Sequence, residues 1–151
     1  MSADDLFGLA SAAVLPGWLI LILAPRGHKL GGRWVWLARI PALLIPFGLS
    51  ALYTGLILAH FAGAEGGGFG SIAQVRALFA SDYGLLAGWV HYLAFDLMIG
   101  AMMAGQMDKI GLSRLSQAPL LGLIFLFGPL GVFLIWVAQG AMGAMGKGGA
   151  A

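Results

Sequence analysis

Four apolar stretches constrain this chain more than any other feature of it. Each approaches the ~20 residues that an α-helix needs to cross the hydrocarbon core of a bilayer. They run approximately over residues 6–23, 40–60, 83–104 and 120–138. The first stops at Ala24-Pro25, because the residue before a proline resists helix. The second carries Pro41 near its start and Pro46 inside it, and the fourth begins just after Pro119. Composition agrees with this reading. Of 151 residues, 60% are hydrophobic and 9% charged, with a mean hydropathy of +0.94, where a soluble domain carries about a quarter charged residues. Too little polar sequence remains to clothe a soluble globule. The expectation is an all-α, integral membrane four-helix bundle, a single domain over residues 1–151.

The absence of cysteine excludes disulfides, zinc-thiolate sites and iron–sulfur clusters. A pI near 9.3 rests on a net charge of only +2, which bears on membrane orientation and not on nucleic acid. The first stretch does not read as a signal peptide, since Asp4 and Asp5 stand where Lys or Arg belong. With four spans, Arg26, Lys29, Arg33, Arg39, Lys109 and Arg114 fall on one side, against Arg76 and Lys147 on the other. The positive-inside rule then places both termini in the periplasm of a bacterial inner (cytoplasmic) membrane.

The longest connection, Phe61 to Ser81, opens on a glycine-rich run from Gly63 to Gly70. No Gly-Lys-Ser/Thr follows, so it is not a phosphate loop and reads as a hinge. Ser71 with Gln74 makes a capping-box pattern, and Ile72, Val75, Leu78 and Phe79 share one face. This segment, residues 71–79, is expected to lie in the membrane interface as a short lid helix.

The third stretch carries the chemistry. Asp96 sits near its middle, where a carboxylate costs roughly 2.5–3.5 kcal/mol on insertion scales, and no Lys or Arg occurs at matching depth in another span. Such an acid is expected in its neutral form, able to donate a hydrogen bond or a proton to a substrate oxygen. The structural alternative is interhelical glue. Trp89, Tyr92 and Asp96 share one helical face, and His91, Phe95 and Met102 a second about a third of a turn away, close enough for a shared pocket. Gly84 and Gly88 form a step that admits a close neighbour. Asp82 stands at the N-cap position, with Arg76 six residues earlier as a partner for it.

His60 and His91 lie on a common level and would be the axial pair of a haem protein. Three scattered histidines are nevertheless a poor metal signal, and no metal or cofactor is expected. Pro16-Gly17-Trp18 and Gly128-Pro129-Leu130-Gly131 mark kinks that leave room for a slot between helices. A long apolar ligand would enter that slot from the bilayer. Trp18, Tyr53, Trp89, Phe95 and Pro129 are the expected substrate contacts, with Trp136 a further aromatic, and Asp96, His91 and Tyr92 the expected catalytic set. Four short spans bury little surface, which admits a homodimer.

Val14-Leu15-Pro16, Leu23-Ala24-Pro25, Leu52-Tyr53, Ile72…Phe79-Ala80-Ser81-Asp82, Trp89-Val90-His91, Asp96-Leu97 and Gly128-Pro129-Leu130-Gly131 occur in this order. In order and spacing they resemble the neoxanthin-synthase-like family, whose plant members are the plastid proteins behind the abscisic-acid-deficient phenotype. The resemblance implies a four-span protein acting on a carotenoid or another isoprenoid, in plants by opening an epoxide to an allene without net redox change. That chemistry asks for an acid at the epoxide oxygen and a base at the polyene end. Asp96 is the candidate acid, with His91 or Tyr92 relaying. The other reading is a non-catalytic pigment- or lipid-binding or assembly protein.

Overall fold

A computed structural model describes residues 1–24 and 35–148. Arg26, Lys29 and Arg33, on which part of the orientation reading rests, lie outside the described residues, as do Pro25, His28 and the side chain of Lys147.

Helix α1 (Ala3–Leu23) starts earlier than expected, because Ser2 and Asp5 close a reciprocal capping box. The aspartates near the N-terminus thus build a helix start. After α2 (Val35–Arg39) comes a π-helical turn, Ile40–Leu44, and then α3 (Ile45–His60). The wide turn has a cause in Pro41, whose ring cannot sit in a regular helix interior. The Ile45 N–H reaches the Ile40 carbonyl, five residues back, and the chain carries on as one rod from Trp36 to His60.

A 3₁₀ turn at Phe61–Gly63 leads to the hinge and to α4 (Ile72–Leu78). Ser71 caps α4 by accepting from the Gln74 N–H at 3.2 Å. The reciprocal half of the box differs from expectation, since Gln74 Oε1 accepts from Gly70 N–H at 2.8 Å instead of from Ser71. Helix α5 (Asp82–Lys109) follows, and its N-cap is Ser81, accepting from Gly84 N–H at 3.1 Å, with Asp82 one position inside. No Arg76–Asp82 ion pair forms.

Helices α1, Trp36–His60 and α5 are long and apolar enough to cross a membrane. The expected fourth span is not one helix. It breaks at Gly128 into α6 (Arg114–Phe127) and α7 (Pro129–Gly148). Gly128 has φ +33° and ψ −89°, outside helical space, and Pro129 follows without an N–H. At Gly131 a Cβ would lie 2.6 Å from the Ile124 backbone nitrogen, although seven residues of straight helix separate their ends by about 10 Å. The chain therefore doubles back, and α7 packs on α6 with Ile135 buried. At 14 residues, α6 is about 21 Å long, short of the ~30 Å core.

Helix α5 is the central element, packed by α1, α3 and α6, and the most buried of the three long helices. In lipid there is no hydrophobic drive between helices, so close fit decides. Glycines supply it: a Cβ on Gly17 would meet Leu97 at 2.8 Å, and one on Gly100 would meet the Trp18 ring at 2.6 Å. Leu9, Leu15, Leu19, Phe47, Leu58, Phe133 and Trp136 point outward, an apolar exterior consistent with contact to lipid.

At the far end from the lid, Arg114 ties three helices together. Its Nε donates to the Ala24 carbonyl at the end of α1, and its Nη2 meets Asp108 Oδ2, both at 2.9 Å. The fully buried Gln117 accepts from Arg114 and donates to Asp108 Oδ1 at 2.8 Å.

Candidate functional site

The elbow at Gly128 and the middle of α5 meet. Asp96 and Phe127 stand equally far from the α5–α6 connection, so the tip of the hairpin arrives at the level of the carboxyl group. Contact is close: a Cβ on Gly128 would lie 2.5 Å from Asp96 Oδ1. Asp96 is buried, and its Oδ2 has no hydrogen-bond partner among the described residues. No ion pair reaches it either. An unpartnered carboxyl oxygen at this depth costs several kcal/mol, on the order of the cost of any unsatisfied polar group in hydrocarbon.

One turn along α5, the Tyr92 hydroxyl donates to the Phe125 carbonyl at 3.2 Å. That carbonyl is free because it lies in the last turn of α6, which ends at Gly128, and Pro129 brings no N–H that could extend the ladder. Tyr92 also lies beside the Asp96 carboxyl. With its single O–H committed to Phe125, the phenol oxygen keeps lone pairs that can accept from a neutral Asp96. Tyr92 and the Phe125 carbonyl thus lie beside the Asp96 carboxyl along the seam of α5 and α6.

Tyr92 has a second exposure. With Ser11, Val14, Trp89, Leu93 and Phe125 it lines a groove of about 440 Å³ between α1, α5 and α6. Trp89 is fixed there by an Nε1–H bond to Ser11 Oγ at 3.0 Å and by rings at 5.4 Å on either side, Phe7 and Tyr92. Trp18 packs edge-on to Phe125 at 5.4 Å, behind the groove and not in it. The groove holds no α7 residue, because α7 has turned away.

The sequence-derived candidates thus separate into two places. Asp96, Tyr92, Trp89 and Trp18 gather on the α1–α6 side of α5. His91 and Phe95 face elsewhere, with their rings stacked at 4.5 Å and Tyr53 of α3 at 5.5 Å from His91. His91 and Tyr53 line a different cavity, beneath the lid helix, and Asp96 is not part of its wall. Pro129 is exposed at the elbow, and Trp136 is exposed on α7. Among the described residues no group of three or more His, Asp or Glu is placed to hold a metal ion. Sequence reading missed Phe125 and Gly128 as walls of the Asp96 site. The signal was present, since Pro129 orphans the carbonyl four residues before it.

No curated protein and no solved structure matches this chain. A family model does, described as ABA DEFICIENT 4-like, and it covers residues 5–135. That range takes in α1, the lid, Asp96 and the Gly128 elbow, so that the chain, with these features inside the matched region, belongs to the ABA DEFICIENT 4-like family.

Proposed function

We propose that the chain spans a bacterial inner membrane with its N-terminus periplasmic, and that it isomerises a carotenoid or related isoprenoid by acid–base chemistry at Asp96 and Tyr92. The observation that carries this reading is the buried, unpartnered Oδ2 of Asp96 at the hairpin elbow. A polar group left so costly in a structural position is best accounted for by use. Tyr92 faces the groove and would turn its O–H from the Phe125 carbonyl to the substrate oxygen, while Asp96 behind it holds and resupplies the proton. The step balances without a redox partner. A proton passes to the epoxide oxygen, the C–O bond breaks towards that oxygen, and a proton leaves the neighbouring polyene carbon. It returns to the Tyr92–Asp96 pair, so the product is an isomer of the substrate.

Expression in a carotenoid-producing bacterial host, with chromatography and mass spectrometry of the pigments, tests the reading. The wild-type chain should yield a product of unchanged mass and shifted absorption. Asp96→Asn should lower turnover at least about a hundredfold, the usual loss on removing a positioned acid, while the protein still purifies folded. Full turnover in Asp96→Asn would remove that residue from the mechanism. One observation favours a second reading, a non-catalytic pigment-binding protein: Asp96 itself lines neither cavity. Bound pigment with no product in any host would select it.

A further inference from the structure

The cavity under the lid is separate from the Asp96 site and has its own chemistry. It measures about 290 Å³ and lies between α3 and α5, roofed by Phe69 and by the end of α4. The roof is seated on glycines: the Leu78 carbonyl lies against Gly84, and a Cβ on Gly88 would meet the Phe79 ring at 2.5 Å. Two stacked ring pairs border the cavity, the second with Phe95 outside its wall. The His60 ring lies parallel to Tyr83, 4.1 Å apart and 3° from coplanar, and His91 stacks on Phe95. Tyr53, His60 and His91 all line the space, and none makes a side-chain hydrogen bond to a described residue. Tyr83 and His91 are about 12 Å apart along α5. Since His60 rests on Tyr83, polar groups therefore close both ends of a narrow, aromatic-walled slot.

From this arrangement we infer that the cavity binds a planar six-membered ring bearing an oxygen at each end on an apolar tail, the headgroup of a prenylquinone. A flat, electron-poor ring stacks against tyrosine and histidine faces. Two carbonyl oxygens on opposite corners of the ring match donors at opposite ends of the slot, His60 at one and His91 with Tyr53 at the other. A ligand pocket of this kind is largely apolar with a few convergent polar groups.

The test uses the full chain in detergent micelles and follows quenching of its tryptophan fluorescence by a quinone, the other two probes being read by how far they displace it. The probes are a benzoquinone with a ten-carbon alkyl tail, the same tail as a plain alkane, and a hydroxylated carotenoid. The quinone should bind at least about tenfold more tightly than the tail alone, and more tightly than the carotenoid. His60→Phe and His91→Phe keep the stacking and remove the donors, and each should weaken quinone binding roughly tenfold. Asp96→Asn should leave quinone affinity unchanged, which separates this site from the proposed catalytic one. Equal binding of quinone and bare tail by the wild-type chain would overturn the proposal without recourse to any variant. Tighter binding of the carotenoid would overturn it too, and would assign the slot to a bulkier ring.

Discussion

Tyr92 and Pro129 act as a pair although neither touches the other's backbone ladder. Proline brings no N–H to the Phe125 carbonyl, and the tyrosine hydroxyl bonds it at 3.2 Å. Tyr92→Phe should therefore cost about 1–3 kcal/mol, the penalty for an orphaned buried acceptor. In Pro129→Ala the restored N–H takes over part of that role. The double-mutant cycle, read from thermal unfolding in detergent, should show Tyr92→Phe costing less in the Pro129→Ala background. A loss below about 0.5 kcal/mol for Tyr92→Phe in the wild-type background would show that the tyrosine does not serve that carbonyl. Gly128 is held more tightly still. Its φ of +33° disfavours any side chain, and a methyl group there would strike Asp96. Gly128→Ala should lose at least about 2 kcal/mol from strain at the positive φ, where Gly122→Ala, with open space around it, should lose nothing. At this scale the sequence was legible in part. Asp96 stands out because a lone carboxylate in an apolar run is visible to anyone counting charges. Tyr92, on the same helical face, stands out with it, but Phe125 and Gly128 do not, because they come from a segment about thirty residues away and meet it only through a reversal.

The elements themselves were legible wherever local chemistry decides them. Apolar length located α1, α3 and α5, and the Ser71 cap located α4. What failed was continuity. Residues 120–138 are apolar throughout, and hydropathy cannot tell a kinked span from two helices folded at a glycine. The backbone of Gly128 makes that difference, and only the packing of Gly131 on Ile124 reveals its size. Arg114 was read as an orientation charge, yet it works as a tie between the end of α1, the α5–α6 turn and α6. The buried member of that tie is Gln117, which serves Asp108, Arg114 and the Leu112 carbonyl at once. Gln117→Leu keeps the volume and leaves those partners short. It should lower stability by about 2 kcal/mol, whereas Leu115→Ala on the exposed face of the same helix should change it little. Comparable losses from the two substitutions would mean that the tie contributes nothing beyond packing.

At the scale of the whole molecule the break at Gly128 changes the topology as well as the site. Four continuous crossings would put both termini on one side of a bilayer. Three crossings followed by a hairpin put the C-terminal end on the side where α6 began. Geometry favours the second arrangement. The seam between α1 and α5 at the lid end is open from Asp4 to Trp89, with no α7 residue in its walls. The hairpin tip stops at Asp96, in the middle of the ~42 Å length of α5. A re-entrant backbone at that depth would keep Gly128 buried against Asp96 and its freed carbonyl bonded to the Tyr92 hydroxyl, with Phe127, Pro129 and Leu130 facing outward. The chain lacks cysteine, so single thiols can report sidedness without any background. Ser113→Cys and Ser81→Cys mark the two ends of α5, and Gly140→Cys marks α7. In oriented membrane vesicles a maleimide that cannot cross the bilayer should label Ser81→Cys from one side and Ser113→Cys only from the other. Gly140→Cys should follow Ser113→Cys. If it followed Ser81→Cys instead, α7 would cross the membrane, the groove beside Tyr92 would be filled by that helix, and Asp96 would be sealed from the bilayer.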